Sequence, residues 1–353
     1  MTRFRLIWYI SAIAAVLVIS AAYLATMYLR NASINEFKRE YEQSDLAGRQ
    51  VVAANYLKFF SASDLLSAIE EQNVGRLCHV QGHAMGRAVY AQSKNLAESV
   101  RQCGNACTFG CFHGALMEMF LTESDTLGGV IEDESPENLI AHVKRMAPDL
   151  CDTPEVASAV PYRFCTHGIG HIFAFAAGKD LDTAVANCRV MKTRPALDAC
   201  VSGVFMEHMF DPRYVADAES KTEAPCDRYP EFTAQCLLYK AYGWIRVWGG
   251  VEPALAACDS IGTSALICIR TVGEATSTAK LRSTKEGFRA ICGSLSGDKF
   301  NACVRGTLLK IVDVNDGDSD HLCDAVAPEY REACLRVTGD YLTYNAKDVE
   351  PAP

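Results

Sequence analysis

Two short strings in this chain place imidazoles at ligand spacing. His79-Val80-Gln81-Gly82-His83 and His167-Gly168-Ile169-Gly170-His171 both read His-x-x-Gly-His, close behind Cys78 and Cys165. Residues four apart on a helix share a face, so each string can offer two imidazoles to one ion. With 8 His and 24 Gly in 353 residues, chance supplies about 0.01 such strings. The glycine before each second histidine removes a side chain and lets another helix approach.

The likeness continues downstream. "CFHGALME" (Cys111 to Glu118) and "CVSGVFME" (Cys200 to Glu207) both read Cys-x-x-Gly-x-x-Met-Glu, and they start 28 and 29 residues after His83 and His171. Residues 78–120 and 165–210 therefore read as two copies of one unit. Cysteine, glycine and glutamate recur at i, i+3 and i+7, a stripe expected to face the interior. A carboxylate there needs a cation, a metal or a proton.

The candidate metal ligands are His79, His83, Glu118, His167, His171 and Glu207, the inventory of a two-metal site or of two His₂Glu sites. Such a set suits Zn²⁺, Fe²⁺ or Cu²⁺, and the chemistry would be hydrolysis by activated water or the handling of oxygen. His113 and His208 lack duplicate partners and read as positions behind the ligands or at solvent. His142 and His321 read as surface residues. The competing reading is a polar packing network. In it the histidines bond backbone carbonyls, Glu118 and Glu207 pair with Arg87, Arg163 or Arg189, and Met117 and Met206 fill the core. Convergence of the six residues into one cavity separates the two.

The elements that must position these groups show in the cysteines. Sixteen occur, with no Cys-x-x-Cys for a zinc ribbon or a thioredoxin-type site, and no Cys-x-x-Cys-His for c-type haem. The expected bridges are local: 151–165, 188–200, 226–236, 258–268, 292–303 and 323–334, with 103–111 leaving Cys78 for Cys107. Disulfides imply an oxidising compartment.

From Cys165 the second cysteines recur at steps of 35, 36, 32, 35 and 31 residues, the period of stacked helical hairpins. "LDTAVANC" and "VEPALAAC" read as amphipathic helices ending at a cysteine, and no stretch shows the sustained alternation of a strand. The fold class is all-α, a disulfide-stapled array of helical-hairpin repeats (an α-solenoid) behind an N-terminal transmembrane helix. On "AGKDLDTAVANC" and "GGVEPALAAC", the chain over about 165–340 resembles tetratricopeptide-like, cysteine-rich secreted helical repeat proteins. That resemblance implies a solenoid with a binding surface, and no chemistry.

Leu6–Leu29 carries no charge and is long enough to span a bilayer, which needs about 20 apolar residues. Arg3 and Arg5 precede it, which puts the N-terminus in the cytoplasm. A cleaved signal peptide, with Ser20–Ala22 at its cleavage site, is the alternative. The expected organisation is a cytoplasmic tip (1–5), the anchor (6–29), a helical stalk (30–60), the duplicated unit (61–212), C-terminal repeats (213–343) and a disordered tail (344–353). A formal charge of -9 and the lack of basic runs interleaved with aromatics exclude nucleic acid as partner. The membrane and a protein or peptide remain as partners. No Gly-x-Ser-x-Gly, P-loop, dinucleotide fingerprint or His-Glu-x-x-His occurs. The function expected is that of a membrane-anchored extracytoplasmic (periplasmic or extracellular) metalloprotein, or of a non-enzymatic scaffold.

Overall fold

In this computed structural model the described residues are Val16, Ser20, Arg30, 32–72, 76–123, 136–276, 285–314, 323–324 and 326–345. The predicted span Leu6–Leu29 lies outside them apart from Val16 and Ser20, as do His321 and, after Asn345, the tail. No helix among the described residues is long and apolar enough to cross a membrane.

These residues are helical, with no strand among them. In place of a stalk, residues 32–43 (α1) and Leu46–Tyr56 (α2) form an antiparallel hairpin, turned at Asp45, whose carboxylate accepts from Gly48 N–H. Phe37 and Tyr41 of α1 are fully buried with Ala53 of α2, against Leu65 and Leu66 of α3 (Ala62–Gln72) and Met85 of α4 (Arg76–Ser93).

A repeating plan follows. A long helix ends, a short capped helix runs to a cysteine, and the next long helix begins at or near the partner cysteine. α4 is followed by α5 (Leu96–Cys103) and α6 (Gly110–Glu123). After α7 (Pro136–Leu150) and α8 (Pro154–Ala157) come α9 (Tyr162–Ala176), α10 (Leu181–Cys188) and α11 (Arg194–Phe210). After α12 (Val215–Glu219) come α13 (Thr233–Val247), α14 (Val251–Cys258), α15 (Ala265–Thr276), α16 (Lys285–Cys292), α17 (Gly297–Val314) and α18 (Arg331–Asn345).

Left-handed residues stop the long helices, Lys94 (φ 49°) after α4, Gly178 (φ 60°) after α9 and Gly249 (φ 71°) after α13. Asn95 and Asp180 then cap α5 and α10 through Glu98 N–H and Thr183 N–H. All eight expected disulfides are present, and no cysteine is free.

The long helices pack in chain order, α4 on α6, α6 on α9, α9 on α11, and so on to α18. Three crossings share one contact. A Cβ on Gly86 would lie 1.7 Å from the Cys111 carbonyl oxygen, one on Gly170 2.0 Å from that of Cys200, and one on Gly273 2.2 Å from that of Cys303. Reciprocally, a Cβ on Gly114, Gly203 or Gly306 would lie 1.9, 2.2 or 1.8 Å from the carbonyl oxygen of His83, His167 or Arg270. Only glycine permits backbones this close.

These contacts also define the register between repeats. Gly170 occupies the place of Gly86, and His167 that of His83. The two His-x-x-Gly-His strings are therefore staggered by one helical turn, and the two units that look identical in sequence do not superpose string on string.

Candidate metal centre

Because α6 packs on both α4 and α9, side chains of three helices meet. His79 and His83 come from α4, His113 from α6, and His171 from α9. Each offers a ring nitrogen, and these atoms all lie within 4.8 Å of one another. Exposure of the four residues runs from 0% for His113 and His171 to 7% for His79.

The dimensions fit one ion. A metal–nitrogen bond of about 2.0–2.1 Å in a tetrahedral shell puts nitrogens about 3.3 Å apart and ring centres about 5 Å apart. His113 Nδ1 lies 3.3 Å from His79 Nε2. The six ring-centre separations among the four histidines run from 4.9 to 6.0 Å.

The outward-facing nitrogens decide where the protons are. His79 Nδ1 faces the carbonyls of Cys107 and Thr108 at 3.2 and 3.1 Å, so it carries the proton and donates. His113 Nε2 donates to the Phe164 carbonyl at 2.9 Å. His171 Nδ1 donates to Glu207 Oε1 at 2.8 Å. His79 Nε2, His113 Nδ1 and His171 Nε2 are therefore left with lone pairs, and they point into the cluster. His171 Nε2 and His83 Nε2 are buried with no hydrogen-bond partner. Two acceptor nitrogens 3.3 Å apart repel unless a cation or an added proton lies between them. Burial, followed by the neighbouring histidines, opposes the proton. It pushes His83 down to about 3 and holds His113 well below the usual imidazole range. Neutral, oriented imidazoles with outer hydrogen bonds are the form in which histidine binds metal.

The outer partners are themselves held. Cys107, Thr108 and Phe109 all take left-handed φ values of 52°, 53° and 63°, a costly run for non-glycine residues. The bridges 78–107 and 103–111 pin this turn, and Glu70 accepts the Cys107 N–H. Its carbonyls are the ones that orient His79. Glu207 accepts from His171 and from Lys179 Nζ. Burial alone would raise the Glu207 carboxyl, but the His171 hydrogen bond and the Lys179 charge outweigh it and leave it well below the usual carboxylate range.

The other candidates sort out as follows. His167 lies beside the cluster, its ring centre 4.7 Å from that of His171 and 5.2 Å from that of His113, outside the four-nitrogen group. Glu118 is not at the imidazoles: its carboxylate takes Arg87 Nε at 2.9 Å. The one-turn stagger explains this, since Arg87–Glu118 occupies in the first crossing the place that His171–Glu207 holds in the second. In the third crossing Glu274 and Lys310 occupy the same positions.

Arg163 stacks over Phe164, and Arg189 pairs with Glu231, so neither serves Glu118 or Glu207. His208 belongs elsewhere. It donates to Asp217 at 2.9 Å and stacks on Tyr214. His142, expected at the surface, is 6% exposed, because its face of α7 packs on Phe120.

His113, read from the sequence as lying behind the site or at solvent, is one of the four histidines whose nitrogens converge. The signal for it was the extra glycine of "CTHGIGH". A Cβ on Gly168 would lie 2.8 Å from His113 Cδ2, so that glycine makes room for the ring.

The two glutamates should now behave differently. Glu207→Gln keeps an acceptor for His171 but loses the charge, and should weaken metal binding about 10–100-fold, the usual range for an outer partner of a ligand. Glu118→Gln should change affinity less than about threefold while costing about 1–3 kcal/mol of stability, by leaving Arg87 without its carboxylate. Chelator-competition titrations check this, and equal losses in the two variants would contradict the assignment.

No protein-family model, curated protein or solved structure matches this chain.

Proposed function

We propose that the protein is a membrane-anchored, extracytoplasmic helical-repeat protein that holds one transition-metal ion between its first two repeats. The observation that carries the metal is the convergence of four buried imidazole nitrogens, three of them with their outer protons already engaged by Cys107 and Thr108, Phe164 and Glu207. An all-imidazole set suits Zn, Cu, Fe or Ni and disfavours Mg, Ca and Mn.

Four protein ligands fill a tetrahedral shell. A hydrolytic zinc keeps three and leaves the fourth position to water. The geometry thus supports an ion held for cohesion or for electron exchange over one that activates water. Cohesion has a clear object: the disulfides staple helices within a repeat, whereas the ion ties α4 and α6 to α9.

Export and anchoring rest on the charge-free Leu6–Leu29 behind Arg3 and Arg5, and on sixteen cysteines that are all bridged. Packing of helices in chain order supports a solenoid. The third crossing supports a second reading, a scaffold for a protein or peptide, because it keeps the glycine contact without imidazoles.

Elemental analysis of protein exported to an oxidising compartment decides between them. One equivalent of Zn, Cu, Fe or Ni is expected. Its removal should lower the unfolding midpoint, since an ion at about 1,000 times its Kd stabilises by about 4 kcal/mol. Substoichiometric metal, with no midpoint shift when any of the four is added, would leave the scaffold reading.

A further inference from the structure

We propose that the turn between α2 and α3, residues 57–61, lies in the headgroup layer of the bilayer that Leu6–Leu29 crosses, with the Phe59 ring inserted at the acyl boundary. The proposal rests on the anchor reading above and adds to it a surface and an orientation.

The location comes from one ion pair. Arg30 directly follows the charge-free segment, and its Nη2 lies 2.7 Å from Asp64 Oδ2 in the first turn of α3. The start of α3 is thereby held beside the point where the predicted span ends. Helix lengths agree. α1 and α2 hold 12 and 11 residues, about 18 and 16 Å at 1.5 Å per residue, so a chain that leaves the membrane along α1 returns along α2 to the same level. Phe37 of α1 packs on Tyr56 at the end of α2, with ring centres 5.3 Å apart.

At that level the apolar residues divide. Tyr56 and Phe60 pack together, ring centres 6.4 Å apart. The Tyr56 carbonyl accepts from the N–H groups of both Phe59 and Phe60 at 2.9 and 3.0 Å, so the turn is ordered. Phe59 points away and is 81% exposed, the most exposed large apolar side chain among the described residues. Lys58 beside it is exposed, and Arg30 is half-exposed. An aromatic tip with the exposed Lys58 beside it and the Arg30–Asp64 pair at the same level is a composition that can settle into a lipid interface. The opposite end of the hairpin carries Glu42, Ser44 and Asp45 instead.

The test uses the full chain in lipid vesicles, with Phe59→Trp in a Trp8→Phe background. Trp8 lies in the predicted span, and the remaining tryptophans, Trp244 and Trp248, lie on or just after α13, far along the array. Lipids brominated near the headgroup end of the chains should quench most of the emission that Phe59→Trp adds, and aqueous acrylamide should quench little of it. Quenching by acrylamide alone would overturn the proposal, because the turn would then face water. Shielding from both quenchers would overturn it too, placing the apolar segment or a second copy over Phe59. In either case the protein still floats with the vesicles after alkaline washing, and the anchor reading stands. Protein that fails to float sinks the anchor reading and this proposal together.

Discussion

His171→Ala should lower affinity for Zn²⁺ by about 10²–10³-fold. Four-ligand sites hold zinc with about 10–16 kcal/mol, so one ligand represents about 3–4 kcal/mol, which is that factor in Kd. His79→Ala, His83→Ala and His113→Ala should fall in the same range. The His113 variant is the sharpest test, because its sequence context lacks the ligand spacing. His167→Ala should cost less than about tenfold, since its nitrogens lie outside the group of four. Combining His83→Ala with His171→Ala should cost more than either change alone but depart from the sum of the two, because ligands of one ion are not independent. Without metal, the same substitutions should change stability by the ordinary 0.5–3 kcal/mol of point variants, about that range for each. Isothermal titration with Zn²⁺ and Cu²⁺ measures the affinities, and denaturant midpoints of the metal-free proteins measure the stabilities. A flat series, with His113 no more important than His167, would remove the four-nitrogen centre.

Gly86→Ala should be strongly damaging for a single added methyl. Its Cβ would lie 1.7 Å from the Cys111 carbonyl oxygen and 2.7 Å from Ala115 N, so the α4–α6 crossing would have to open by more than an ångström. Bridges 78–107 and 103–111 tie α6 and the turn before it to α4 and α5 and resist that opening. A loss of about 3–5 kcal/mol is expected, the upper range for overpacking at a rigid contact. Metal binding should fail with it, since His79, His83 and His113 straddle this crossing. Gly339→Ala is the control. It lies inside α18 with nothing within 4 Å of the added carbon, and should stabilise by about 0.5–1 kcal/mol. Denaturant midpoints of the oxidised proteins give both values, and a Gly86→Ala protein of parental stability would show that the crossing is looser than described.

Much of the architecture was legible in the residues alone. The all-helical class, the eight disulfides and the helices ending at Cys188 and Cys258 followed from cysteine spacing and amphipathic period, because short-range covalent closure and helical periodicity are local properties of a chain. His-x-x-Gly-His likewise marked three of the four converging imidazoles, His79, His83 and His171, though not His113, and glycine marked close helices. Which residues meet was decided elsewhere. String comparison aligned His83 with His171 and Glu118 with Glu207. Backbone contact aligned His83 with His167 and set Glu118 on Arg87, because the register of two helices is chosen by where glycines let carbonyls approach, not by where identical letters fall. His113 entered the centre, and Glu118 left it, for the same reason. Composition names the donors for an ion, but the packing of α6 between α4 and α9 brings four of them to one point.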